Sequence, residues 1–186
     1  MKLRACLLLA LLVPAAVWAD DFKYDYVDLG HASLAPQGGQ DGSGAFVDVS
    51  YTVFYQLQLR AGYSHLDYST TPSDITAKDY TFGITGESVL TADTDVYTDL
   101  LYLSDSSHQT SSSTDDGYRL AIGLRHWALP HLELDGYLAH NYLTLSSNEA
   151  GVAALYDLTP WLSLGAVFAH DSLHTNTTSL ELRAYF

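Results

Sequence analysis

The sequence predicts an all-β chain folded as a ten-stranded antiparallel up-and-down transmembrane β-barrel. Three observations predict it. Short runs of period-2 alternation fill residues 22–186, separated by turn signals, and no helical period competes with them. The connections between runs alternate short and long. The last run ends flush on an aromatic residue: counting back from Phe186, Ala184, Leu182 and Leu180 alternate with Tyr185, Arg183, Glu181 and Ser179. Such alternation makes one apolar and one polar face, at a chain end that is ordinarily polar and frayed.

The N-terminus reads as an export signal. Lys2 and Arg4 form a charged start, Cys6 to Val13 an apolar stretch too short to span a membrane, and Val17-Trp18-Ala19 a small-residue cleavage site. This predicts a signal peptide over 1–19 and one barrel domain over 20–186. The single cysteine, Cys6, leaves with the signal, so the mature chain forms no disulfide. Lys2 and Arg4 leave too. Six basic residues then face 22 acidic ones, a formal charge of −16. That balance argues against nucleic acid as a partner, because a phosphate backbone needs a basic footprint.

The first strand is read over 22–34, followed by the Gly- and Asp-bearing stretch Pro36 to Ser43. The second covers 44–53 and the third 56–68, with the polar connection Ser69 to Asp74 after it. The fourth covers 79–90, then the tight stretch Thr91 to Asp95, then the fifth over 96–104. Asp105 to Asp116, rich in Ser and Thr, is the longest connection. The sixth strand, 117–127, turns at 128–131 into the seventh, 132–145. The eighth, 150–158, turns at Thr159-Pro160-Trp161 into the ninth, 162–171; Ser172 to Asn176 leads to the tenth, 177–186. Connections after odd strands are the longer or more polar ones. This is the pattern of short periplasmic turns and longer outer loops, with the N-terminus and Phe186 at the periplasmic rim.

The faces separate a membrane barrel from a soluble one. Tyr118, Leu120, Ile122 and Leu124 oppose Arg119, Ala121, Gly123 and Arg125; Tyr80, Phe82 and Ile84 oppose Asp79, Thr81, Gly83, Thr85 and Glu87. Leu57, Leu59, Ala61 and Tyr63 oppose Gln58, Arg60, Gly62 and Ser64, and Leu132, Leu134 and Leu138 oppose Glu133, Asp135 and Tyr137. A soluble barrel would alternate equally. Here the polar face mixes charges of both signs with Gly and Ala, which suits a narrow enclosed lumen. Aromatics bound the apolar band at two levels: Tyr51, Phe54, Tyr55, Trp127, Trp161 and Phe186 by the short turns, and Tyr63, Tyr80, Tyr102, Tyr118 and Tyr142 toward the long loops.

An exported chain whose last strand ends on Phe186 resembles the bacterial outer-membrane β-barrels. The segments Phe22-Lys-Tyr-Asp-Tyr-Val-Asp-Leu-Gly30 and Asp115-Asp-Gly-Tyr-Arg-Leu-Ala-Ile-Gly-Leu-Arg125, with the tail, resemble the small xanthomonad-type outer-membrane β-barrel proteins of the porin-like superfamily. The resemblance spans essentially the whole mature chain, through motifs that are mostly strand alternation. It implies location in the cell outer membrane after export through the periplasm, and contact with outer-membrane lipid and lipopolysaccharide. It also implies that Leu180, Leu182 and Phe186 serve as the signal read by the barrel-assembly machinery. It carries over no catalytic residue.

Three constellations could carry chemistry. The first is the inward charge set Asp25, Asp48, Arg60, Glu87, Asp99, Arg119, Arg125, Glu133, Asp135, Glu181 and Arg183. Turn positions bring Asp48 near Arg60 and set Glu87 opposite Asp99, with Arg119 or Arg125 in reach. Glu181 and Arg183 fall beside Lys23 and Asp25, where strand ten closes on strand one. The set reads as a salt-bridged filling that largely plugs the lumen. The alternative is a narrow path for small solutes, ten strands being well below the ~16 of water-filled porins. The second constellation, His65 with Asp67, His140, His170 with Asp171, and Ser104, Ser106 and Ser107 beside His108, would suit an outer-membrane hydrolase. No nucleophile elbow accompanies it, and strand neighbours point to opposite faces; the chain is read as a non-enzyme without cofactor. The third is His31, His65, His140, His170 and His174, which map to the outer end without metal-ligand spacing, so no metal site is assigned. Asp41, Asp74, Asp115 and Asp116 would let divalent cations bridge the loops to lipopolysaccharide phosphates. The expectation is a monomer with a structural or surface-interaction role.

Overall fold

The computed structural model describes residues 22–68, 75–108 and 112–186. Ten antiparallel strands close into one barrel: β1 (Tyr26–Pro36), β2 (Gly42–Phe54), β3 (Leu57–Tyr68), β4 (Ile75–Thr91), β5 (Thr94–His108), β6 (Ser112–Leu129), β7 (Leu132–Tyr142), β8 (Ser147–Thr159), β9 (Leu162–Asp171) and β10 (Thr175–Tyr185). Each strand pairs with its sequence neighbours, and β10 closes on β1 from Tyr26↔Tyr185 to Pro36↔Thr175. Closure satisfies the backbone of every strand on both sides and leaves no edge.

Period 2 sorts the side chains inside-out. Leu29, Phe82, Ile84, Ile122, Leu138 and Leu180 are exposed, while Asp28, Gln58, Thr85, Asp99, Arg125, Glu133 and Glu181 are buried. A soluble protein rarely exposes so continuous an apolar surface. A band of this kind is what lipid-facing strands present.

The four short connections have two residues each: Tyr55–Gln56, Ala92–Asp93, Pro130–His131 and Pro160–Trp161. Every one stands beside a register shift, at Thr52/Phe54, Val89/Thr91, Trp127/Leu129 and Asp157/Thr159. The extra residue of such a bulge bends and twists the strand into the turn. The carbonyl of each second turn residue then reaches the next hairpin. Gln56 O accepts from Glu87 N at 3.0 Å, Asp93 O from Trp127 N at 3.0 Å, His131 O from Asp157 N at 2.8 Å and Trp161 O from Tyr185 N at 3.0 Å. No turn joins β10 to β1. There Asp25 supplies the acceptors, its carbonyl to Phe186 N at 3.3 Å and its carboxylate to Thr52 N.

Several expected strand limits move: β4 starts at Ile75 rather than 79, β7 ends at Tyr142 rather than 145 and β8 starts at Ser147 rather than 150, and two changes are larger in consequence. The first strand begins at Tyr26, because β10 ends there and offers no ladder to residues 22–25; these turn into the short-turn mouth. The stretch read as one long connection, 105–116, is mostly strand: β5 runs to His108 and β6 starts at Ser112. Its Ser and Thr residues pair across, Ser106↔Thr114 and Ser107↔Ser113, the last two sharing a hydroxyl contact of 2.9 Å. The signal-peptide segment and Ser69 to Asp74 lie outside the described residues.

Candidate functional site: the barrel lumen

Inward positions near the short turns carry long charged side chains. Arg125 donates Nε and Nη2 to Glu133 at 2.8 Å each, and Glu133 is 1% exposed. Arg183 makes the same two-bond fork on Asp28, at 2.8 Å each, and reaches Glu181 at 3.5 Å. Arg60 donates to Asp48 at 2.8 Å and to Asp99 at 3.2 Å, and Thr85 Oγ1 donates to Asp99 at 2.7 Å. Tyr97 donates to Asp135 at 3.0 Å. The forked pairs have the geometry in which guanidinium–carboxylate bonds are strongest, and their attraction offsets a large desolvation cost only while both partners remain. Farther toward the long loops, Arg119 clamps Glu149 at 3.0 Å through two nitrogens, with Tyr137 Oη donating to Glu149 at 2.7 Å and Asn141 Oδ1 accepting from Arg119 at 3.1 Å.

Of the residues singled out in the sequence, Asp48 and Arg60 meet. Glu87 stands opposite Tyr97; it is Thr85 that faces Asp99, and the cation at Asp99 is Arg60 rather than Arg119 or Arg125. Arg183 pairs with Asp28, not with Asp25, whose carboxylate is used on the Thr52 backbone. Asp28, Asp95 and Glu149 are lumen residues absent from the sequence set. Asp28 shares the phase of Tyr24 and Tyr26, a phase opposite to that of Asp25; Glu149 lies just ahead of the run read as the eighth strand.

The segment 22–25 lies across the short-turn mouth. Phe22 is 5% exposed and stacks on Trp127 with ring centres 5.5 Å apart. The Arg125 guanidinium lies 5.1 Å from the Phe22 ring and 4.7 Å from that of Tyr24, and Tyr24 donates to Asp95 at 2.8 Å. Lys23 donates to the Pro160 carbonyl and sits 4.8 Å over the Tyr185 ring. Trp127, expected in the lipid-side girdle, is therefore turned inward. A cavity of about 380 Å³ lies below this segment and one of about 620 Å³ above it, with Tyr24 in the wall of both.

The larger cavity exists because its walls are thin. Phe46, Tyr68, Tyr97 and Tyr137 each lie opposite a glycine on the next strand: Gly30, Gly42, Gly123 and Gly151. A Cβ on any of these glycines would collide with the facing ring. Glycine thus lets four large rings lie flat on the wall instead of filling the lumen. The lumen expected to be polar also has an apolar wall toward the long loops, Ala32, Leu66 and Ala77 packed with Leu34, Phe46 and Tyr68.

The histidine candidates stand elsewhere. His65 Nε2 is 3.7 Å from Asp67, His140 Nδ1 is 2.7 Å from Asn148 Oδ1, and His170 Nδ1 is 2.9 Å from Asn176 Oδ1, all at exposed contacts. Asp115 accepts from the Thr144 backbone and hydroxyl, and Asp74 lies outside the described residues. Among the described residues no group of three or more His, Cys, Asp or Glu is arranged to hold a metal.

No protein-family model and no curated protein matches the chain. Solved structures do. The β domain of the Bordetella autotransporter BrkA is 8% identical over 89% of this chain and 100% of that one, with a TM-score of 0.56. The NanC porin is 9% identical over 86% and 99%, with a TM-score of 0.54. The KdgM porin, solved in complex with disordered oligogalacturonate, is 14% identical over 87% and 99%, with a TM-score of 0.51. At such identities the likeness is one of fold, and the fold of this chain is the closed all-antiparallel barrel of outer-membrane porins.

Proposed function

We propose that this is a small integral protein of the cell outer membrane, of the xanthomonad-type branch its sequence resembles, with a structural or surface-interaction role and a lumen closed to flow. The observation that carries the reading is the seal formed by Phe22 to Asp25 over the ion-paired lower lumen. The tail residues Leu180, Leu182 and Phe186 serve assembly: Leu180 and Phe186 are exposed at 63% and 68%, where a docking machinery would read them. Lipid and lipopolysaccharide are the proposed surroundings, and the chain acts as a monomer.

Recording the pure protein in a planar bilayer tests this. The full chain is expected to show no conductance steps. Steps in the wild type, altered by Arg125→Ala, would establish the second reading, a narrow small-solute path. The cavity of about 620 Å³ is the observation that favours that alternative. Steps that appear only when residues 20–25 are removed would identify the segment as the seal.

A further inference from the structure

The outward surface toward the long loops carries an arc of tyrosines and an arc of histidines that together ring the barrel. Tyr63, Tyr80, Tyr102, Tyr118 and Tyr142 occupy β3 to β7, with Tyr63↔Tyr80, Tyr102↔Tyr118 and Tyr118↔Tyr142 as direct cross-strand neighbours. His140 on β7, His170 on β9, His31 on β1 and His65 on β3 continue the ring over the rest of the wall. The arcs join at both ends. The His140 ring packs edge-on against Tyr142 with centres 4.2 Å apart, and His65 is two residues along β3 from Tyr63 on the same face. His31 and His65 share one row through Ala45. Aromatic belts of this kind sit at headgroup level, so the histidines sit there too.

The charge of this surface is unusual for its place. Among the described residues, the arginines 60, 119, 125 and 183 point into the lumen and Lys23 lies at the short-turn rim. Lys78 is the remaining permanent cation, directly across from His65. The groups facing each histidine are few. His31 lies between Leu180 and Ala45. His65 lies between Ala45 and Lys78, with Asp67 at 3.7 Å. His140 lies between Leu120 and Asn148, and His170 between Ala150 and Asn176, with the His174 ring 6.4 Å away. Among the described residues, the register thus places one carboxylate, Asp67, and one ammonium, Lys78, beside the arc. Imidazole gains a charge just below neutrality, and cations at a membrane surface attract anionic headgroups.

We infer that the histidine arc is a lipid-phosphate contact surface that engages phosphate-bearing headgroups of the outer leaflet on acidification and lets them go near neutrality. The inference rests on the outer-membrane reading above. The test uses the full chain in phosphatidylcholine vesicles with and without phosphatidic acid, at about pH 5.5 and about pH 7.5. The readout is the melting temperature of the heat-modifiable band. Phosphatidic acid is expected to raise it by roughly 3 °C or more at the acid pH and little at the other. Replacing the four histidines together (His31→Gln, His65→Gln, His140→Gln, His170→Gln) should abolish the acid increment. His140→Gln with His170→Gln, a milder change, should remove about half of it if each site contributes similarly. Lys78→Gln should lower the increment equally at both pH values. An increment independent of pH, one that survives in the fourfold variant, or one that inorganic phosphate reproduces in phosphatidylcholine alone would overturn the inference while leaving the barrel reading intact. Failure to insert into any vesicle would overturn both.

Discussion

Near the short turns the inward positions hold Arg125, Glu133, Tyr97, Arg183 and Asp28; toward the long loops the same phase of the same kinds of strand holds Ala32, Ala77, Ala139 and Ala169. The alternation is identical in the two halves, and so is the backbone. What differs is side-chain length. Long charged groups pair with neighbouring or next-but-one strands along the wall and narrow the lumen, and Phe22 and Tyr24 lie over its short-turn end. Short inward residues, with the rings of Phe46, Tyr68 and Tyr137 held against the wall by facing glycines, leave a hollow. Period-2 patterning therefore decides that a barrel forms, and the sizes on its inner face decide whether the barrel contains anything.

The largest expected effect comes from the filled half. Arg183→Ala strands the buried Asp28 and Glu181 and should cost about 3–5 kcal/mol in urea unfolding from vesicles. Arg119→Ala, in the open half, leaves Glu149 with Tyr137 and Asn141 and partial access to water, and should cost about half as much. Equal costs would break the comparison. Next comes Gly151→Val, which drives the Tyr137 ring off its wall and should cost about 1–3 kcal/mol. Gly136→Val, where a Cβ meets open space, should stay within about 0.5 kcal/mol. Asp25→Ala removes the acceptor of the Thr52 backbone and should lower stability by about 1 kcal/mol, read as earlier loss of the heat-modifiable band. The smallest change is Gln56→Gly. Gln56 holds φ at 60°, and relief of that conformation should come within about 1 kcal/mol of cancelling the added freedom of the unfolded chain, seen as a midpoint shift near zero.

The strands and their faces were legible because a two-residue period survives uncertainty about where a strand starts. Leu120 and Arg119 fall on opposite sides whether β6 begins at 112 or 117. Pairings were not legible to the same degree, because they depend on turn centres and bulges. The β4–β5 turn centres between Ala92 and Asp93 and the register then slips at Val89/Thr91; each shifts the pairing by one residue, and together they move Glu87 from Asp99 to Tyr97. Asp48 and Arg60 meet despite the Thr52/Phe54 shift, because a long guanidinium side chain tolerates a diagonal offset. The inward course of residues 22–25 was hidden for a different reason. Phe22, Tyr24 and Tyr26 alternate as a strand would, and only the end of β10 at Tyr185 shows that the ladder has no further partner.

The relay of turn carbonyls along the rim gives the chain ends an unexpected status. Four hairpins hand a backbone oxygen to the next one, and at the fifth position, where the polypeptide is interrupted, the side chain and carbonyl of Asp25 stand in. The interruption is thus a role that a residue fills, not a fixed place on the cylinder. A circularly permuted chain, joined from β10 to β1 by a two-residue turn and opened at Pro130–His131, would no longer need the Asp25 carboxylate, and would need one at its new opening instead.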